Sequence, residues 1–93
     1  MKLSMDEVVN AICLFMAERK QVKPNEVEVE LLWDEELGFS AEVVVQGRSQ
    51  FLIEANMLEA IERYMLNEYQ QRVFRSQIAL DVDEEEMFAI ISA

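Results

Sequence analysis

Residues 26–54 read EVEVELLWDEELGFSAEVVVQGRSQFLIE, and the pattern within them decides the fold. Glu26, Glu28 and Glu30 alternate with Val27, Val29, Leu31 and Trp33. Strand side chains change face at every residue, so this run has one apolar face and one row of carboxylates. The run Phe39–Gln46 repeats the pattern, with Phe39, Ala41, Val43 and Val45 on one side and Ser40, Glu42, Val44 and Gln46 on the other. Asp34-Glu35-Glu36-Leu37-Gly38 between them is a polar hairpin loop in which Gly can take a positive φ. Gln46-Gly47-Arg48 reads as a second tight turn, leading to a third strand with Phe51 and Ile53 facing inward. The expectation is an antiparallel meander with strands at 26–34, 39–46 and 50–54.

On that reading the outer face combines Glu26, Glu28, Glu30 and Glu42 with the apolar residues Leu32, Val44 and Leu52. Two readings are open. An antiparallel sheet often shows water a mixed face; alternatively, an apolar stripe bordered by acid is covered by the C-terminal segment or by a partner.

Helices flank the meander. Ser4 and Glu7 have capping-box spacing, with Leu3 and Val8 at the staple positions and the Glu7 carboxylate expected to reach back. Met5, Val8, Val9, Ile12, Cys13 and Met16 recur at helical spacing, giving a helix over 4–20 that Pro24 prevents from continuing. After the sheet, Asn56 and Glu59 repeat the cap pattern, and Met57, Leu58, Ile61, Met65, Tyr69 and Val73 predict a helix over 57–75. Glu59 with Arg63 and Glu68 with Arg72 are i,i+4 pairs that support it. In the tail, Ile78, Leu80 and Val82 alternate with Ala79, Asp81 and Asp83, predicting a hairpin at 77–83 and 87–92. A short terminal helix from Glu84 is the alternative. The expected fold is α+β: an α-β-β-β-α core with a three-stranded antiparallel meander, two helices on one face and a C-terminal strand pair, in a single domain over 1–93.

Composition narrows the function. With 93 residues, two Gly and one Pro, there is room for one core and no long linker. No apolar run approaches a membrane span and no signal-peptide pattern opens the chain, so a cytoplasmic protein without membrane contact is expected. The net charge of −11 is uneven, since residues 25–47 hold seven acids and no base. Such a surface repels phosphate backbones, which argues against direct nucleic-acid binding. It suits a basic protein partner, although excess carboxylate also serves solubility.

Catalytic chemistry is sparse. There is no His, the usual general base near neutral pH. Cys13 lies on a helical core stripe and reads as a structural thiol, and two Gly cannot build a phosphate loop. Asp81-Val82-Asp83-Glu84-Glu85-Glu86 starts like a calcium loop but lacks its central Gly and closing Glu, so a solvated acidic turn is expected, with no metal or cofactor. Trp33, Phe39 and Phe51 are assigned to the core. The six Met fit either a plastic core or a contact surface.

The order helix, meander, helix is similar to that of double-stranded-RNA-binding domains. That family contacts RNA through lysines opening its second helix and through the loop between its first two strands. Here those places hold Glu54-Ala55-Asn56-Met57-Leu58-Glu59 and Asp34-Glu35-Glu36-Leu37-Gly38, and no lysine follows Lys23. The similarity is one of topology, without the RNA-binding function. The segments VVNAICLFMAERKQVKP, EVEVELLWDEELGFSAEVVVQGR and FLIEANMLEAIERYM resemble the YxcD-like family of small bacterial proteins of unassigned function. That resemblance implies a bacterial cytoplasmic protein and supplies no catalytic residues.

The functional expectation is a non-enzymatic interaction module with Glu26, Glu28, Glu30, Leu32, Glu42, Val44 and Leu52 as its face. It binds a basic partner or self-associates as a homo-oligomer. The alternative is a small-ligand binder or enzyme, which needs a pocket between sheet and helices of about 300 Å³ or more.

Overall fold

A computed structural model describes residues 1–84 and 86–92. Its elements are β1 (Lys2–Leu3), α1 (Met5–Lys20), β2 (Val27–Asp34), β3 (Gly38–Val45), β4 (Arg48–Ile53), α2 (Glu54–Tyr69), β5 (Ile78–Asp83) and β6 (Glu86–Ile91). Short 3-10 turns at Pro24–Glu26 and Arg75–Gln77 lead into β2 and β5. The fold is α+β, with an antiparallel meander β2-β3-β4 and a second antiparallel sheet β1-β6-β5.

The inner face of the meander is the one the periodicity marks. Val27 pairs with Val45, Val29 with Val43 and Leu31 with Ala41, and these rows face the helices. α1 packs on β2, α2 packs on β3 and β4, and the helices pack on each other. α1 also touches β6, so one helix joins the two sheets, and buried residues of both sheets belong to one core. Met16, Met57, Met65 and Met87 are buried in it, which places most of the methionine in the core.

The third strand differs from the sequence reading by one residue of register. The sum that pairs Val45 with Arg48 also pairs Val43 with Gln50 and Ala41 with Leu52. Leu52 is therefore the inward residue, 3% exposed, while Phe51 and Ile53 point away from the helices at 63% and 64% exposed. The physical reason is the turn. Gln46 (φ 52) and Gly47 (φ 75) both lie in the left-handed region, as a two-residue primed hairpin requires. A loop of two residues instead of three shifts the partner by one, and a one-residue shift exchanges the faces of a strand.

Other boundaries move for local reasons. α2 starts at Glu54 because Ile53 is its cap: the Ile53 amide donates to Asn56 Oδ1 at 3.2 Å, so Asn56 stands in the first turn instead of at the cap. It ends at Tyr69, where Gln70 turns left-handed (φ 54) and Gln71 N–H bonds back to the Met65 carbonyl at 3.1 Å. Val73 is buried but lies beyond the helix, in the connection to β5. The expected i,i+4 pairs are replaced by longer-range ones: Arg63 bonds Glu18 on α1, and Arg75 bonds Glu59 and Glu62. Trp33, 47% exposed, and Phe51 leave the core, whereas Phe39 packs against it.

The C-terminal hairpin forms as a strand pair, not a helix, with Ile78 opposite Ile91 and Val82 opposite Met87. β1 joins it as an unforeseen third strand: Ile91 N–H donates to the Met1 carbonyl at 2.7 Å, and the Met1 amine donates to the Ile91 carbonyl at 3.0 Å. Among the described residues no helix is long and apolar enough to cross a membrane.

Candidate interaction face

The outer face of the meander is built from three cross-strand rows. Glu28, Val44 and Ser49 form one, Glu30, Glu42 and Phe51 the next, and Leu32, Ser40 and Ile53 the third. Side chains of one parity in β2 and β3, and of the other in β4, share this face because of the two-residue turn. Among the described residues no helix covers it: α1 and α2 are both on the opposite side.

Its chemistry is a pair of opposed carboxylates beside exposed apolar groups. Glu30 stands directly across from Glu42, and like charges in that position destabilise a sheet. The Ser49 hydroxyl, one row away, donates to Glu42 Oε2 at 2.7 Å and holds that carboxylate. Among the described residues no ion pair reaches Glu28, Glu30 or Glu42. Leu32 and Val44 are half-buried on the same face.

Of the seven residues marked from sequence, Glu28, Glu30, Leu32, Glu42 and Val44 meet on this face. Glu26 does not: it lies in the 3-10 turn before β2, where its Oε2 accepts from the Lys23 amide at 2.8 Å. Leu52 does not either, being buried against the helices. Phe51 and Ile53 take its place. The signal that could have found them is the Gln46-Gly47 pair, read as a complete turn.

A second polar cluster was not legible in the sequence. Glu7 of α1 accepts hydrogen bonds from the Tyr69 hydroxyl at 2.5 Å and the Tyr64 hydroxyl at 3.4 Å. The tyrosine rings meet edge to face with centroids 6.0 Å apart. Ser4 does cap α1, accepting from Glu7 N–H at 3.3 Å, but the Glu7 carboxylate serves the tyrosines instead of closing a capping box. The bond to Glu7, a burial contribution and the negative charge nearby push the Tyr69 phenol up to about 12.

The remaining candidates are quiet. Cys13 is half-buried with Sγ 3.7 Å from the Val27 carbonyl, and burial pushes its thiol up, away from the thiolate a nucleophile needs. The groove between α1 and α2, lined by Phe15, Glu18, Arg63 and Tyr64, holds about 190 Å³. A wider concavity of about 630 Å³ lies at the β3–β4 turn, and of its lining residues Lys20, Gln46, Arg48, Ser49 and Gln50 are exposed and only Val45 is buried. Among the described residues no three acids or thiols gather as metal ligands, and Glu85 of the acidic turn lies outside those residues.

The family described as Protein of unknown function (DUF2653) matches residues 1–85. The chain belongs to this family. The DUF2653 match spans both helices, the whole meander and β5, and stops before β6. No curated protein and no solved structure matches the chain.

Proposed function

We propose that this DUF2653 chain is a non-enzymatic interaction module whose outer meander face docks a protein surface with cations set among apolar side chains. The observation that carries the reading is the exposure of Phe51 and Ile53 beside the directly opposed Glu30 and Glu42. A cation placed between those carboxylates relieves their repulsion, while the neighbouring apolar groups leave water. The net charge of −11 steers a basic partner toward the chain. The YxcD-like resemblance and the bacterial, cytoplasmic setting it implies belong to the same reading. A catalytic or small-ligand role has less support, because the inter-helix groove is small and the wider concavity is walled by exposed side chains.

The test is an amide-resolved NMR titration with a synthetic probe peptide of alternating Lys and Leu. Shifts are expected in the rows containing Glu28, Glu30, Leu32, Glu42, Phe51 and Ile53. They should shrink when salt is raised from about 0.1 M to about 1 M, where the screening length falls from ~10 Å to ~3 Å. The Phe51→Ser variant should bind more weakly with its spectrum otherwise preserved. Shifts centred on Asp81 and Asp83, or undiminished binding by Phe51→Ser, contradict the reading.

A further inference from the structure

The charge of this protein is distributed unequally over its strand edges. Among the described residues β2 leaves one edge of the meander unpaired and carries Glu28, Glu30 and Asp34, and β5 leaves one edge of the second sheet unpaired and carries Asp81 and Asp83. Two copies pairing through either strand bring carboxylates against carboxylates, a common protection against edge-to-edge association. β4 is the other edge of the meander, and it has no acid: its six residues are Arg48, Ser49, Gln50, Phe51, Leu52 and Ile53. It also has no Pro, and its outward side chains include Phe51 and Ile53.

The main chain of β4 is aimed for pairing. A two-residue hairpin makes Val45 and Arg48 the hydrogen-bonded closing pair, and the bonded residues alternate from there. Gln50 and Leu52 therefore bond toward β3, while Ser49, Phe51 and Ile53 direct their N–H and C=O groups to the open edge. The Ile53 amide obeys this rule, being turned off β3 to Asn56 Oδ1.

We infer that β4 pairs antiparallel with β4 of a second copy of this chain, with Phe51 on the two-fold axis, joining two meanders into one six-stranded sheet. In that register Phe51 exchanges both main-chain hydrogen bonds with its own counterpart, and Ser49 N–H donates to the Ile53 carbonyl of the other copy. The same register sets Arg48 opposite Glu54 of the other copy, twice, so the charges at the strand ends attract. Both outer faces lie on one side of the joined sheet. The inference does not require a basic partner, and it goes beyond the docking reading.

Sedimentation equilibrium of the full chain over about 10 μM to 1 mM, the range in which small interfaces associate, tests it. The expected mass at the upper end is twice the 10.8 kDa of one chain. Because the joining bonds are mainly from the main chain, it should persist at high salt. Arg48→Glu should weaken the association ~10-fold or more by setting carboxylate against carboxylate, and Arg48→Glu with Glu54→Arg should restore it. Ser49→Pro removes an edge donor where an edge strand tolerates Pro, and should leave a folded single-chain species. Single-chain mass for the unmodified protein throughout overturns the inference. Association unaffected by Ser49→Pro, or not restored by the double charge exchange, also overturns it. The lysine–leucine titration repeated on Arg48→Glu, whose residue pairs with Val45 outside the outer-face rows, reads the docking face separately, so failure of either idea is visible without the other.

Discussion

Glu7, in the first turn of α1, and Tyr69, the last residue of α2, are joined by a 2.5 Å hydrogen bond across 62 residues of chain. The bond links the N-terminal end of one helix to the C-terminal end of the other, and Tyr64 leans on the same carboxylate at 3.4 Å. It fixes the helix pair at one end, while Arg63 and Glu18 bond further along.

The phenol of Tyr69 reports this contact. Held up to about 12 by the bond to Glu7, it should ionise last in an ultraviolet titration. Glu7→Gln keeps an acceptor but removes the charge, and should return Tyr69 toward the ordinary value of 10.0. Because the folded-state value is raised, the stabilisation is fully present below about pH 10 and is lost as pH rises toward 12. An unchanged Tyr69 titration in Glu7→Gln would refute the link.

The register of β4 makes a paired prediction for stability. Leu52→Ala empties a buried site and should cost about 2–5 kcal/mol in denaturant unfolding. Phe51→Ala and Ile53→Ala, at exposed strand positions, should each change stability by no more than about 1 kcal/mol. The reverse ranking would mean that Phe51 and Ile53 fill the core.

Left-handed backbone at glutamine offers a third test. Gln21 and Gln70 end the two helices with φ of 57 and 54. A left-handed L-residue costs roughly 1–2 kcal/mol, and Gly relieves it while losing about 0.5–1 kcal/mol of chain entropy. Gln70→Gly should therefore raise stability by about 0.5 kcal/mol with the helical circular dichroism unchanged. A loss of stability would mean that the Gln70 side chain contributes more than its backbone costs.

The legible parts of the fold are those in which periodicity and burial agree. Val27, Val43 and Val45 alternate with acids, so their shared inner face could be read directly, as could the cap at Ser4 and the alternation of Ile78, Leu80 and Val82. Sequence and structure part where two patterns are degenerate. Phe51, Leu52 and Ile53 are all large and apolar, so strand composition could not choose a face, and the turn length chose it instead. Val73 continues the helical spacing of Tyr69 by coincidence, and no Gly or Pro marks the reversal at Gln70. The Glu7–Tyr69 bond and the pairing of Lys2 and Leu3 with β6 join distant parts of the chain, and local spacing carries no trace of them. The face of Glu28, Glu30, Leu32, Glu42 and Val44 was readable because all five lie on two strands whose register is set by one hairpin.

Everything assigned to the outer face depends on which of two adjacent methyl-bearing residues meets water. Methyl NMR of the dilute protein with a soluble gadolinium chelate measures this directly. Strong relaxation enhancement is expected at the Ile53 methyls and little at Leu52, buried at 3% exposure. Strong enhancement at Leu52 with Ile53 protected would contradict it, returning Leu52 to the outer face and removing Phe51 and Ile53 from any docking surface.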